Sequence, residues 1–70
     1  MAFEFVVQRL QIGDVILVDL PDRGGEVEAT VTRDIERTET SVRVRLRLEG
    51  GDEIVREWPL GAMVTVVRGP

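Results

Sequence analysis

Apolar and polar residues alternate with a period of two along most of this chain. Six short segments, rich in β-branched residues, either show this alternation or are almost wholly apolar: FEFVV (3–7), DVILVDL (14–20), EVEATVTRDI (26–35), SVRVRLRL (41–48), EIVREW (53–58) and AMVTVV (62–67). A helical period is weak throughout, and the alternation is typical of strands that bury one face. The pattern therefore predicts an all-β protein of five or six antiparallel strands.

Segments rich in glycine and proline separate the predicted strands. LPDRGGE (20–26) and EGGDE (49–53) each contain a Gly-Gly pair, which is suited to the positive φ angles of tight turns. In WPLGA (58–62), Pro59 cannot donate a ladder hydrogen bond, so the chain should leave the sheet there. We predict a single 3₁₀ turn near 59–62, just before the last strand.

The predicted strands can be aligned so that apolar residues face apolar residues and acids face arginines. This alignment assumes a three-residue loop at 50–52 in the second hairpin. Sheet pairing favours both kinds of contact, and the alternation fixes which face each side chain occupies. The alignment pairs Val31 with Leu46, Ile35 with Val42, Asp34 with Arg43, Leu48 with Ile54, Val44 with Trp58 and Arg45 with Glu57.

The same alternation predicts the hydrophobic core. Nine positions should be largely buried: Val15 or Ile16, Val18, Ala29, Val31, Val44, Leu46, Ile54, Val64, and Val66 or Val67. The terminal segments FEFVV and MVTVV both have high β-propensity. They should either pair with each other or leave exposed strand edges that another copy of the chain could join, forming a homo-oligomer.

Composition narrows the class of protein. The 70 residues predict one domain, 1–70, with a small core, and the formal net charge is −4. Cysteine and histidine are both absent, which excludes disulfides, thiolate metal sites and Ser-His or Cys-His catalysis. The acidic residues Asp19, Asp22 and Glu26 match no calcium-loop spacing. We therefore expect no enzyme activity, no metal and no cofactor.

The N-terminal residues show no charged leader followed by a long apolar region, and no apolar run approaches the ~20 residues that span a bilayer. These features predict a cytoplasmic protein that does not enter a membrane.

Four residues are candidates for binding. Arg43, Arg45 and Arg47 form a row on the polar face of the SVRVRLRL segment, and Trp58 is the only tryptophan. The arginine row is either a solvated or protein-facing surface or a contact for nucleic acid phosphates. Trp58 either plugs one end of the core beside Pro59 or lines a peptide-binding groove, although no tyrosine is available to complete a proline-binding groove.

The segment LQIGDVILV (10–18) resembles the opening of SH3-like small barrels of the Tudor and KOW kind. In those barrels an apolar residue, two further residues and Gly-Asp lead into the first long strand; here Leu10, Gly13, Asp14 and Ile16 occupy these places. The later order of a long hairpin, a proline-containing turn and a last strand is also similar, as it is in small actinobacterial barrel proteins of unassigned role. The resemblance implies a single SH3-like barrel.

The resemblance implies a fold but no particular ligand. The lysines and glycine arrangement of nucleic-acid-binding KOW domains are not evident, and three aromatic residues form no Tudor-like cage. We therefore expect a non-catalytic small binding or accessory module that contacts a protein partner. The alternative is a nucleic-acid-binding regulatory protein that uses the arginine-bearing hairpin at 33–47, which the acidic net charge disfavours.

Overall fold

The six strands form one antiparallel sheet. A computed structural model describes residues 2–70, and the strand bounds are β1 Phe3–Val6, β2 Val15–Leu20, β3 Gly25–Arg37, β4 Ser41–Leu48, β5 Glu53–Pro59 and β6 Met63–Arg68. The order across the sheet is β1-β6-β2-β3-β4-β5. The predicted all-β class and antiparallel strands are confirmed, at the upper end of the predicted number.

The two terminal strands pair with each other. Phe3 lies opposite Val66 and Phe5 lies opposite Val64, so the predicted pairing of the end segments is confirmed. The sheet is nevertheless not closed into a barrel: within residues 2–70, β1 and β5 are outer strands, each with a strand on one side only. An opening therefore lies between the outer edge of β5 and the facing parts of β2 and β6, and it is called the open seam below.

A turn is present near 59–62 as predicted, but it is a β-turn and not the predicted 3₁₀ turn. The Ala62 N–H donates to the Pro59 carbonyl oxygen at 3.1 Å, and Gly61 has a φ of 87°. A positive φ at the third position defines a type II β-turn, and it interrupts the repeated negative φ that a 3₁₀ helix needs. The 3₁₀ turns lie instead at Val7–Arg9 and Pro21–Arg23.

The predicted register of β3 with β4 is correct for half of the hairpin. Val31 lies opposite Leu46 as predicted, but Ile35 lies opposite Val44 rather than Val42. The reason is an irregularity between Val31 and Ile35, which inserts two extra residues into β3. An insertion of two residues changes the partners but leaves every side chain on its predicted face.

The predicted register of β4 with β5 is wrong by two residues. Ile54 lies opposite Leu46 instead of Leu48, and Trp58 lies opposite Val42 instead of Val44. The cause is the position of the turn: the Leu48 N–H donates to the Asp52 carbonyl oxygen at 2.7 Å, so the three-residue loop begins one position earlier than predicted. The faces are again preserved.

One hydrophobic cluster receives side chains from every strand, so the sheet curls around a single core. Nearly all of the predicted core positions are buried, with both Val15 and Ile16 among them. Ile54 is only partly buried, since it lies on the outer strand β5. Four further residues are buried that were not among the predicted core positions: Val7, Leu10, Val42 and Leu48.

Candidate functional site

The arginine row lies on the outer face of β4. Arg43, Arg45 and Arg47 are exposed, because the intervening apolar residues of β4 point into the core. Each arginine contacts a carboxylate on a neighbouring strand: Arg43 with Glu57 at 3.7 Å, Arg45 with Asp34 at 2.8 Å and with Glu53 at 3.6 Å, and Arg47 with Glu53 at 3.5 Å. Three guanidinium groups therefore face three carboxylates.

Two of the ion pairs predicted for this row are wrong. Arg43 was predicted to face Asp34, and Arg45 to face Glu57; the observed registers bring Asp34 to Arg45 and Glu57 to Arg43. The Glu57 carboxylate also accepts a hydrogen bond from the Ser41 hydroxyl at 2.6 Å. Although the partners differ, the three positive charges of the row are matched by three neighbouring carboxylates, as the alignment implied.

Trp58 occupies a different surface from the arginine row. It lies on the inner side of β5 opposite Val42, is half-buried and packs against the edge of the core. Its remaining surface borders a groove of about 440 Å³ in the open seam, a volume within the range of ligand pockets, about 300–1,000 Å³. Trp58 therefore packs against the core and also lines a groove, and peptide binding at this groove stays a prediction.

Residues from four strands line this seam groove. They are Leu17, Val18 and Asp19 of β2, Glu26 of β3, Arg56, Glu57 and Trp58 of β5, and Met63, Val64 and Thr65 of β6. Met63 is half exposed and adds a flexible apolar side chain beside the indole. The Arg56 guanidinium donates to the Asp19 carbonyl oxygen at 3.4 Å and so joins β5 to β2 across the seam.

Asp19 and Glu26 form a like-charged pair in the groove wall. They lie directly opposite each other in the pairing of β2 with β3, and both are exposed. Neither carboxylate has a basic group within 4 Å among residues 2–70. Like charges directly opposite each other in a sheet are unfavourable, so this pair gives the groove a local negative potential.

The outer edge of β5 carries main-chain groups that point away from β4. Hydrogen bonds from Leu48 N–H to Asp52 O and from Leu60 N–H to Thr40 O flank the β4–β5 ladder. Because antiparallel ladders alternate bonded and non-bonded pairs, the even-numbered residues of β5 bond to β4. The N–H and C=O groups of Glu53, Val55 and Glu57 consequently face the open edge.

The facing part of β6 also has a free edge. The Val7 N–H donates to Ala62 O at 2.8 Å, and this bond extends the β1–β6 ladder, in which Phe5 lies opposite Val64. By the same alternation, the main-chain groups of Met63 and Thr65 point away from β1. Since β2 pairs with β6 only at Val15 and Ile16, and the Ile16–Val66 pair uses the Thr65 carbonyl oxygen, the main-chain groups of Met63 are the ones left facing the seam groove.

Two other clefts of similar volume are less suited to binding. They lie beside Glu28 and Leu48, and no aromatic side chain lines either of them. One is bridged by an ion pair between Arg68 and Glu28 at 3.1 Å. The seam groove is distinguished from both by its tryptophan and by its two free strand edges.

Some classes of site are not found in the part of the chain that the structure describes. No group of three or more His, Cys, Asp or Glu side chains there is arranged to hold a metal ion. Within the same residues, no helix has the length and apolar character needed to cross a membrane.

The structure separates the predicted site residues. Trp58 and the arginine row lie on opposite faces of the sheet, so they cannot contribute to one contact surface. The sequence analysis missed Met63, Asp19 and Glu26 as groove residues. The acid pair had a signal in the sequence, because Asp19 and Glu26 flank the LPDRGG turn and a hairpin places such residues together.

The fold and the groove define a small antiparallel β domain with an open seam. Comparison with known protein families, curated proteins and solved structures finds no match to this chain.

Proposed function

We propose that this protein is a non-catalytic protein-binding module that contacts its partner through the seam groove around Trp58. We also propose that its fold is an SH3-like barrel with an open seam. The strand order supports this relationship, since β2 to β5 follow one another across the sheet and β6 returns beside β2.

The observation that carries the proposal is the combination of side chains and main chain at the groove. A half-buried tryptophan and an exposed methionine lie between two strand edges with unpaired main-chain groups. Aromatic residues and methionine are enriched where proteins bind each other, and tryptophan is frequent among the residues that dominate binding energy. A peptide segment offers the apolar side chains and amide groups that such a groove can bind.

The alternative, nucleic acid binding by the 33–47 hairpin, has less support. Affinity for nucleic acid depends mainly on neutralising phosphates with free basic groups. Here the arginine row is already occupied by Asp34, Glu53 and Glu57, and the chain as a whole is acidic.

Selection from a display library of random peptides tests the proposal. Because Trp58 is the only tryptophan, a change in intrinsic fluorescence reports binding at the groove directly. Met63→Ser should weaken the selected peptides by roughly fivefold or more, as expected for an interface residue worth about 1 kcal/mol. Ile12→Ser is the matched control, since Ile12 is equally exposed but lies outside the groove.

Nucleic acid titrations complete the test. At ~150 mM salt, where exposed charges are screened beyond about 8 Å, neither DNA nor RNA should bind with sub-micromolar affinity. Binding that disappears when Arg43, Arg45 and Arg47 are together replaced by Gln would contradict the proposal. So would a selection that yields no peptide sensitive to Met63→Ser.

A further inference from the structure

We propose that the occupant of the seam groove is an extended, basic segment of a partner protein, which adds to the sheet as a strand along the free edge of β5. This inference rests on the proposed function and specifies the conformation and charge of the ligand.

The free edge of β5 provides the first argument. The outward N–H and C=O groups of Glu53, Val55 and Glu57 repeat at every second residue, which is the spacing that an added strand needs. Pro59 ends this edge without leaving an unpaired donor, because its nitrogen carries no hydrogen and lies at an outward position. An extended peptide can therefore pair with β5 from Glu53 to Glu57.

The groove provides a place for the ligand's side chains. A strand beside β5 points alternate side chains to the inner side of the sheet, where Trp58 offers apolar surface, and Met63 borders the same groove from β6. An apolar residue at every second position of the ligand matches this arrangement.

The charge of the groove determines whether an acidic or a basic ligand fits it. Asp19 and Glu26 are a cross-strand pair of carboxylates without a basic partner in residues 2–70, and both line the groove. Arg56 is directed to a carbonyl oxygen and not to either carboxylate. A lysine or arginine of the ligand would relieve the repulsion between the two acids, so the groove favours a basic segment.

The same argument disfavours a second copy of this chain as the occupant. Neither outer strand offers a free basic group: β1 carries only the acid Glu4, and Glu53 and Glu57 of β5 already contact arginines of β4. The one arginine of β5, Arg56, donates to the Asp19 carbonyl oxygen, so another copy would bring no free cation to Asp19 and Glu26.

The test uses synthetic peptides of alternating lysine and valine, about seven residues long to match β5. Binding is followed by Trp58 fluorescence at ~150 mM salt, close to physiological ionic strength. Two N-methylated versions, modified on all lysines or on all valines, keep the side chains but remove the donors from one edge of the peptide. We expect one version to lose binding and the other to keep it, because only one edge of an added strand bonds to β5.

Charge variants of the protein test the acidic pair. Replacing Asp19 by Asn and Glu26 by Gln should reduce the affinity for the peptide at least about tenfold, since the basic residues of the peptide then have no carboxylate partner in the groove. The matched control replaces Glu4 and Glu39 by Gln, which changes the net charge equally at two exposed positions outside the groove. The control should stay within about twofold, as screened charges beyond a Debye length contribute little.

Several results would overturn the inference. Equal losses in the two charge variants would show general electrostatic attraction, and tolerance of both N-methylated peptides would exclude strand addition. Groove-dependent library peptides that carry no basic residues would leave the proposed function standing and refute this inference alone. Self-association of the chain through β5 that the unmodified lysine–valine peptide does not block would also refute the inference.

Discussion

Leu46 is the clearest example of a residue whose role follows from alternation. It lies in β4 between Arg45 and Arg47, which are exposed, while its own side chain is fully buried. Val31 and Ile54 lie opposite it on the two neighbouring strands. Leu46 is therefore at the centre of the part of the sheet formed by β3, β4 and β5.

Replacing Leu46 by Ala should destabilise the domain strongly. Removing a buried leucine side chain costs about 2–5 kcal/mol, because the cavity is only partly refilled. A domain of 70 residues has a total stability of about 0.05–0.15 kcal/mol per residue, so this loss is a large part of the whole. Urea unfolding of the variant measures the change. Val55→Ala is the control, since Val55 is exposed; an unchanged midpoint for Leu46→Ala would contradict the register.

At the scale of the element, β4 supports two surfaces. Its apolar residues build the core, and Arg45 and Arg47 join Asp34 of β3 and Glu53 of β5 into a chain of exposed ion pairs. Arg43 and Glu57 form a separate pair beside this chain. Arg45 is the centre of this chain, because it contacts Asp34 on one side and Glu53 on the other. These contacts align the strands but contribute little each, as solvent screens exposed pairs.

Arg45→Gln should lower the free energy of unfolding by up to about 1 kcal/mol at low salt, because two carboxylates lose their shared partner. The effect should shrink near ~1 M salt, where the screening length falls to about 3 Å. Thermal unfolding at the two salt concentrations gives the comparison. Arg33→Gln changes the net charge equally, and Arg33 has no carboxylate within 4 Å in the described chain, so its effect should be smaller. Equal effects of the two changes would show that only net charge matters.

At the scale of the whole molecule, charge and free edges have opposing effects on association. The outer strands β1 and β5 offer main-chain groups to another chain, which favours edge-to-edge pairing. The formal net charge of −4 makes copies of the chain repel one another near neutral pH. Glu4 places part of this repulsion at the β1 edge, whereas Glu53 and Glu57 of β5 are paired with arginines of β4.

We therefore expect a monomer near neutral pH and association near pH 4.7, the isoelectric point of the sequence. As the pH falls, carboxylates gain protons, the net negative charge decreases toward zero, and the free edges are no longer protected by repulsion. Light scattering across this pH range at several protein concentrations tests the expectation. A stable dimer at neutral pH and low salt would show that edge pairing overcomes the charge.

Much of the candidate site was beyond sequence reasoning. Trp58 was recognised as a candidate from its type alone, and the arginine row from its alternation. Whether Trp58 plugged the core or lined a groove depended on how β5 sits relative to β2 and β6. These strands are distant from one another in the chain or joined by a turn, so no local pattern contains their arrangement.

The sequence by itself determined the strands and the face that each side chain occupies, because alternation with a period of two is a local property of an extended chain. It did not determine the partners. The two-residue insertion between Val31 and Ile35 and the early turn after Leu48 moved the registers while preserving the faces. Only the tertiary structure decided that the sheet stays open, with β1 and β5 as its outer strands, since closure depends on how all six strands curl around one core. The groove at Trp58 is a consequence of that opening.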